Sequence, residues 1–306
     1  MQTITLGTSS MSASRLAYGC WRLNGAPELR AAGKQAVVTA YENGCTIFDH
    51  ADIYGQGEAE KIFGEVLRDA PGMRERILIV TKAGVRRGDD PPGSPYHFNL
   101  SGEHILRACE GSLQRLGVET IDLFLLHRAD WLADPADVAG AFTKLQQSGK
   151  VRFFGVSNFR PTHVTAIQSA CPMPLMAHQV EISLGQLAAL DDGTLDQCLA
   201  AKMTPMAWSP LGGGQFADGP KRLLKYQEGY RTEGVLPLLD EYAKQRGVTR
   251  SAVALAWLLK HPSGIMPIVG STNPQRIREA ARAADISLSR EEWYHLFTAA
   301  RGEPLP

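Results

Sequence analysis

The chain has 306 residues, and its 32 lysines and arginines balance its 32 aspartates and glutamates, with neither sign concentrated in one stretch. This balance argues against nucleic acid or an anionic membrane surface as a partner, and no apolar run approaches the length of a membrane span. The five cysteines form no C-x-x-C pair and no ligand spacing, so we expect a cytoplasmic protein without disulfides or a bound metal.

The chain begins with a hairpin pattern and continues with a strand and helix repeat. Residues 2–16 alternate apolar and polar side chains around a Gly-Thr-Ser-Ser turn. Beyond them, short apolar runs alternate with segments in which apolar residues recur every three or four positions. The runs predict strands at 15–21, 45–51, 77–84, 121–128, 151–158, 175–183, 203–210 and 265–271. The periodic segments predict helices at 33–43, 58–69, 101–116, 135–148, 234–246 and 250–260.

The character of these strands predicts the fold class. Strands that are apolar nearly throughout belong in a parallel sheet, and helical crossovers are what parallel pairing requires. Eight such units predict an α/β protein, a (β/α)₈ TIM barrel that fills residues 1–306 as a single domain. The amino-terminal hairpin would cap the barrel floor, and residues 291–300 would form an appended C-terminal helix.

Ionisable side chains follow the ends of the second, third and fourth predicted strands. In a (β/α)₈ barrel the reactive residues lie at the carboxyl-terminal ends of the strands, where side chains from several strands converge. The motifs "FDHADIYG", "VTKAG" and "LLHR" bring four such residues to one mouth, which are Asp49, Tyr54, Lys82 and His127.

This grouping favours carbonyl reduction. A lysine ammonium about 4 Å from a phenol lowers the phenol pKa from its usual value of about 10, which would make Tyr54 a usable proton donor. Asp49 would hold Lys82 in place, and His127 would hydrogen-bond the oxygen of a small-molecule carbonyl substrate. Because no side chain supplies hydride, a nicotinamide cofactor is implied. Taken alone, Asp49 and Lys82 could equally be a structural ion pair.

Seven motifs in order and spacing resemble the aldo-keto reductase family, from about residue 15 to about residue 285. Besides the first three they are "GKVRFFGVSNF", "HQVEIS", "MAWSPLGGG" and "PIVGSTNPQRIREA". The sequences of the motifs "DHADIYG" and "MAWSPLGGG" are most similar to those of a bacterial branch of oxidoreductases, the YdhF type. The resemblance implies NADPH at the mouth of the barrel and a catalytic tetrad of Asp49, Tyr54, Lys82 and His127.

The resemblance also implies a cofactor site along strands five to eight. The nicotinamide carboxamide would meet amide and hydroxyl groups, the ring would stack on an indole, and the pyrophosphate would lie on a loop of small residues. A helix N-terminus and a guanidinium would take the 2′-phosphate, which favours NADP over NAD. The implied residues are Ser157, Asn158, Gln179, Trp208, Ser209, Leu211, Gly212, Gly270, Ser271, Thr272, Arg276 and Glu279.

Two further features complete the sequence-based interpretation. Aromatic residues at Trp21, Tyr96 and Trp131 are candidates for the wall of the substrate pocket.

His50 stands where the family commonly has threonine, and strand alternation predicts that it packs between barrel and helices.

Three functions are compatible with these residues. The chain would be an NADPH-dependent reductase of aldehydes or ketones with Tyr54 as general acid. Alternatively, it would be a cofactor-binding regulatory or redox-sensing barrel with little turnover. A third possibility is a lyase or isomerase that uses Lys82 as a Schiff base.

Overall fold

Eight parallel strands close into a barrel, which confirms the predicted architecture. The computed structural model describes residues 1–23 and 25–305. Each strand pairs with its neighbours in the repeat, and the eighth closes on the first through Ile268 opposite Ala17. In chain order the barrel strands are Ala17–Gly19, Ile47–Asp49, Leu78–Ala83, Ile121–Leu126, Val151–Ser157, Leu175–Glu181, Thr204–Trp208 and Met266–Val269.

The barrel strands are apolar throughout because both of their faces are buried. Ile47, Val80 and Leu123 pack with one another inside the barrel. Their neighbours Phe48 and Phe124 point the other way, into the layer between the barrel and its helices. This is the period-two alternation of a strand with apolar contacts on each side.

The helices form the outer layer, and most begin and end close to the predicted positions. The first helix begins at Pro27, earlier than predicted. The apolar pattern did not indicate this start, because Leu29 is exposed and does not continue the pattern. Two helices precede the eighth strand, as predicted. No helix within residues 1–23 and 25–305 is long and apolar enough to cross a membrane. The helices are Pro27–Glu42, Glu58–Asp69, Gly102–Leu116, Pro135–Gln147, Pro161–Ala170, Ala188–Asp191, Thr194–Ala201, Val235–Arg246, Arg250–Leu259, Pro274–Ala281 and Arg290–Arg301.

The amino-terminal hairpin closes one end of the barrel, as the alternation predicted. Thr3–Thr5 pairs antiparallel with Ser12–Ser14. Leu6, between them, is fully buried among the side chains of the barrel interior. The backbone N–H of Gly7 donates to Thr204 Oγ1 at 2.8 Å, at the start of the seventh strand. The hairpin therefore covers the amino-terminal ends of the strands and leaves their carboxyl-terminal ends for the site.

Candidate active site

A cavity of about 680 Å³ lies at the carboxyl-terminal ends of the barrel strands. Its volume is in the range of sites that hold small molecules and cofactors. The structure brings most of the predicted site residues to its wall. These are Trp21, Asp49, Tyr54, His127, Ser157, Asn158, Gln179, Trp208, Ser209, Leu211, Gly270, Ser271 and Arg276.

Four predicted residues lie beside or behind this wall and do not line it. Lys82 is fully buried behind Asp49. Gly212 is buried against the ring of Phe216. Glu279 accepts a hydrogen bond from Gln275 on its own helix, at 2.9 Å. Thr272 follows Ser271 without lining the cavity.

Tyr96 and Trp131, predicted for the substrate pocket, do not line the cavity. Both lie at the surface, with exposed fractions of 61% and 80%. Both rings pack against the ring of Phe98, with centroid distances of 5.8 and 6.1 Å. The reason is local folding: Val85–Arg86 pairs with His97–Phe98 and turns the loop onto the neighbouring one. Of the three predicted aromatic residues, only Trp21 lies at the cavity.

Lys82 makes a fully buried ion pair with Asp49. Its Nζ donates to Asp49 Oδ1 at 2.7 Å, to Asp49 Oδ2 at 2.8 Å and to the backbone oxygen of His50 at 2.6 Å. Burial lowers the pKa of Lys82, and the Asp49 carboxylate opposes that shift. An amine with this many acceptors and no exposed surface is poorly placed to attack a carbonyl, which argues against a Schiff-base lyase.

Tyr54 lies between the ion pair and His127. Lys82 Nζ is 5.1 Å from the centroid of the phenol ring, and the His127 ring stands edge-on to it at 6.0 Å. Burial raises the pKa of Tyr54 well above its usual 10, and the Asp49 carboxylate raises it further. The prediction of a lowered Tyr54 pKa is therefore wrong, because burial of the phenol and the Asp49 carboxylate both raise it. The phenol keeps its proton at neutral pH, as a proton donor must.

His127 presents a neutral imidazole to the cavity. Burial lowers its pKa well below 6.5, and the positive charges of Lys82 and Arg128 lower it further. Its backbone N–H donates to Ala83 at 2.8 Å, which holds the residue beside the third strand. Its Nδ1 is enclosed and has no hydrogen-bond partner among the described residues. The ring therefore adds no charge at neutral pH and can orient a polar group by hydrogen bonding.

A hydrogen-bonded set of side chains forms the adjoining wall. Asn158 Oδ1 accepts from Trp208 Nε1 at 2.9 Å, and Asn158 Nδ2 donates to Ser157 Oγ at 2.8 Å. Gln179 Nε2 donates to Asp49 Oδ1 at 2.8 Å. Asn158 and Ser209 have positive φ angles of 59° and 46°, a conformation that few non-glycine residues adopt and that often occurs at binding sites. The wall is thus prearranged, and the Ser157 hydroxyl can still donate a hydrogen bond.

The turn after the eighth strand differs in one respect from the predicted phosphate site. Asn273 Oδ1 accepts from the backbone N–H groups of Gln275 at 2.9 Å and Arg276 at 3.3 Å, so Asn273 already caps this helix. The guanidinium of Arg276 makes no ion pair with any residue of the described chain. Arg276 and Ser271, rather than the helix N-terminus, are therefore the groups that remain for an anion.

The structure adds two groups that sequence reasoning missed. Glu181, at the end of the sixth strand, accepts hydrogen bonds from Tyr226 at 2.6 Å, Gln227 at 2.6 Å and Tyr230 at 2.9 Å. These bonds hold the loop after the seventh strand beside the cavity, and no local pattern in that loop indicates them. Arg128 also lines the cavity. Arg128 could have been predicted as a site residue, because it directly follows His127 in "LLHR".

His50 packs between barrel and helices, as strand alternation predicted. It is fully buried, and its ring lies 4.5 Å from that of Phe63 on the helix Glu58–Asp69. Burial lowers its pKa to about 3, with a contribution from Lys82. Its side chain is therefore a neutral packing group, while its backbone oxygen holds Lys82.

Asp52 gives this part of the protein a specific pH dependence. Its Oδ1 is enclosed without a hydrogen-bond partner among the described residues, and burial raises its pKa to about 7, with Glu60 adding to the shift. In the unfolded chain the pKa is about 3.9. The folded state therefore binds this proton more tightly, and the stability it contributes is lost as the pH rises from about 4 through about 7.

We expect Asp52→Asn to stabilise the protein at pH 8 by on the order of 2 kcal/mol and to change its stability little at pH 4. Urea unfolding of wild type and variant at both pH values measures this difference. The same free-energy change at pH 4 and pH 8 would contradict the assignment to Asp52.

Comparisons with known proteins show the family of this chain. The profile of the Aldo/keto reductase family matches residues 15–299. The chain belongs to the aldo-keto reductase family. As a member of that family it is an NAD(P)H-dependent oxidoreductase, which confirms the resemblance seen in the motifs.

Several relatives match this aldo-keto reductase over nearly its whole length. The uncharacterized oxidoreductase YcsN of Bacillus subtilis is 40% identical over all of both chains. The oxidoreductase YdhF of Escherichia coli is 38% identical over all of both chains, and the 6-dehydroglucose reductase of Agrobacterium fabrum is 38% identical over 99% of each. The crystal structure of the thermostable aldo-keto reductase Tm1743 with the inhibitor epalrestat superposes with a TM-score of 0.83 at 26% identity, covering 98% of this chain and 100% of that one.

Proposed function

We propose that this aldo-keto reductase uses NADPH to reduce the carbonyl group of a small aldehyde or ketone to an alcohol, with Tyr54 as the proton donor. The observation that carries the proposal is the placement of a protonated phenol at the cavity wall, beside a buried Lys82 and a neutral His127. A proton donor must be protonated at the working pH and must reach the reacting oxygen.

Each of the four side chains has a distinct role in this reaction. Tyr54 donates its proton to the carbonyl oxygen as negative charge develops there. Lys82 then lies near the resulting phenolate and stabilises it, while Asp49 keeps the ammonium in position. His127 hydrogen-bonds the carbonyl oxygen and aligns it with Tyr54. A bound nicotinamide would supply the hydride.

The residues at the ends of strands five to eight suit such a cofactor. The Ser157 hydroxyl can donate to a carboxamide, and the Trp208 indole offers a face for ring stacking. Arg276 and Ser271 suit a phosphate group. The positive φ of Ser209, next to Trp208, fits a backbone shaped for a ligand.

The named activities of relatives support carbonyl reduction. Besides 6-dehydroglucose reductases, they include an L-glyceraldehyde 3-phosphate reductase of Escherichia coli O157:H7, 30% identical over 95% of this chain and 90% of that one. These names describe different carbonyl substrates, so they support the reaction class and leave the substrate to direct measurement.

The test is a titration with NADPH and NADH by fluorescence, followed by absorbance assays with a panel of aldehydes and ketones. We expect tight NADPH binding and a fall in nicotinamide absorbance with at least some aldehydes. Tight binding without turnover across the panel would instead favour the regulatory function.

The preference for NADPH should depend on Arg276. Because this guanidinium has no ion-pair partner in the described chain, we expect Arg276→Met to weaken NADPH binding by about 10- to 100-fold, the loss typical of a charge-assisted hydrogen bond, and to change NADH binding little. Equal weakening for both dinucleotides would contradict a 2′-phosphate contact. Arg278→Met, on the same helix, is the matched control.

A further inference from the structure

We propose that Arg128 binds an anionic group of the substrate, so that the favoured substrates are aldehydes or ketones carrying a carboxylate or a phosphate. This inference rests on the proposed function and extends it to the class of substrate.

Arg128 lies at the reacting end of the cavity. It directly follows His127 at the end of the fourth strand and lines the cavity wall. Its guanidinium carbon lies 5.8 Å from the ring centroid of Trp208, across the mouth of the barrel. Its charge also reaches Tyr54: burial and Asp49 raise the pKa of that phenol, and Arg128 opposes them.

No carboxylate of the described chain forms an ion pair with Arg128. Arg128 makes no ion pair or hydrogen bond with any residue in 1–23 and 25–305, and its contact with the Trp208 ring supplies no negative charge. Two carboxylates in this region have other partners. Asp130 accepts from the backbone N–H groups of Leu100 and Leu132, both at 2.9 Å.

The second of these carboxylates is Glu181, which lines the cavity and is held by the loop after the seventh strand. Tyr226, Gln227 and Tyr230 donate to its two oxygens at 2.6 to 2.9 Å. A guanidinium at a cavity wall with no protein carboxylate to accept its N–H groups is suited to a carboxylate or phosphate from solution, because it can bind two oxygens at once.

The position of Arg128 distinguishes the substrate from the cofactor as the source of that anion. The groups suited to a cofactor phosphate, Ser271 and Arg276, follow the eighth strand. Arg128 instead adjoins His127 and lies near Trp208 and Tyr54, where the carbonyl would react. An anion bound there belongs to the molecule being reduced, a few bonds from its carbonyl carbon.

Matched substrate pairs test this inference. The first pair is 4-carboxybenzaldehyde and its neutral amide, 4-formylbenzamide; the second is glyceraldehyde 3-phosphate and glyceraldehyde. We expect wild type to favour the charged member of at least one pair in kcat/KM, and Arg128→Gln to reduce that preference by about 10- to 100-fold. Arg128→Lys keeps the positive charge but lacks the planar N–H donors of the guanidinium, so it should retain part of the preference for the charged substrate. The exposed Arg68→Gln should retain all of it.

The two pairs also show which anion is preferred. No preference in either pair, or a preference that survives Arg128→Gln, would overturn the inference while carbonyl reduction stands.

A binding measurement separates this outcome from failure of the proposed function. Calorimetric titration of benzoate and benzamide into the NADP⁺ complex requires no turnover. We expect benzoate to bind more tightly than benzamide in wild type, and Arg128→Gln to abolish the difference. Equal binding of the two by wild type would overturn the inference, whether or not any aldehyde is reduced.

Discussion

Tyr54→Phe is expected to lower kcat for carbonyl reduction by about 10²- to 10⁴-fold, the usual contribution of a general acid. The variant removes only the hydroxyl and leaves the ring in place beside Lys82 and His127. Tyr54 lies at the cavity wall, and its raised pKa keeps the hydroxyl protonated at neutral pH. NADPH oxidation with the best aldehyde measures the loss, and fluorescence titration measures cofactor binding.

Cofactor affinity should remain close to that of wild type in this variant, since the predicted cofactor residues lie along strands five to eight. Tyr41→Phe is the matched control, because it removes a phenolic hydroxyl on the helix Pro27–Glu42, away from the cavity. Retention of most activity by Tyr54→Phe would exclude Tyr54 as the proton donor.

Lys82→Met is expected to lower the free energy of unfolding by about 3–5 kcal/mol and to abolish turnover. The substitution leaves the carboxylate of Asp49 buried without its cation, and an unpaired buried charge is strongly destabilising. Gln179, which donates to the same carboxylate, offsets only part of that loss. Urea unfolding measures stability, and NADPH oxidation measures activity.

The double variant Asp49→Asn with Lys82→Met separates a catalytic from a structural role for this pair. Removing both charges relieves the unpaired carboxylate, so we expect much of the stability to return. Activity should remain absent, because Lys82 no longer stabilises the phenolate of Tyr54. Recovery of turnover together with stability would show that the ion pair is only structural.

The barrel and its repeat could be predicted because their signals are local. Strands such as Ile121–Leu126 are apolar at every position because each face packs against a layer, and this is visible in the sequence. The sequence could also predict the proximity of Asp49, Lys82 and His127. A closed parallel barrel places all carboxyl-terminal strand ends at one mouth. A polar residue at the end of a strand therefore lies at that mouth.

The path of the long loops could not be predicted in the same way. Tyr96 and Trp131 belong to loops whose course is set by contacts with each other through Phe98, and no periodicity encodes those contacts. Tyr226 and Tyr230 likewise meet Glu181 across 45 and 49 residues of chain. Such pairings depend on how separate loops pack at the rim.

A (β/α)₈ barrel and the residue types at its mouth can be predicted from the sequence, because apolar strands and polar strand ends are properties of short segments. The protonation of the groups at that mouth depends on the folded structure. The pKa of Tyr54 is raised by burial of the phenol and by the Asp49 carboxylate, and both effects depend on distances between strands that no single segment contains. The same holds for Arg128, whose residue type was visible in "LLHR" and whose lack of a carboxylate partner in the described chain appears only in three dimensions.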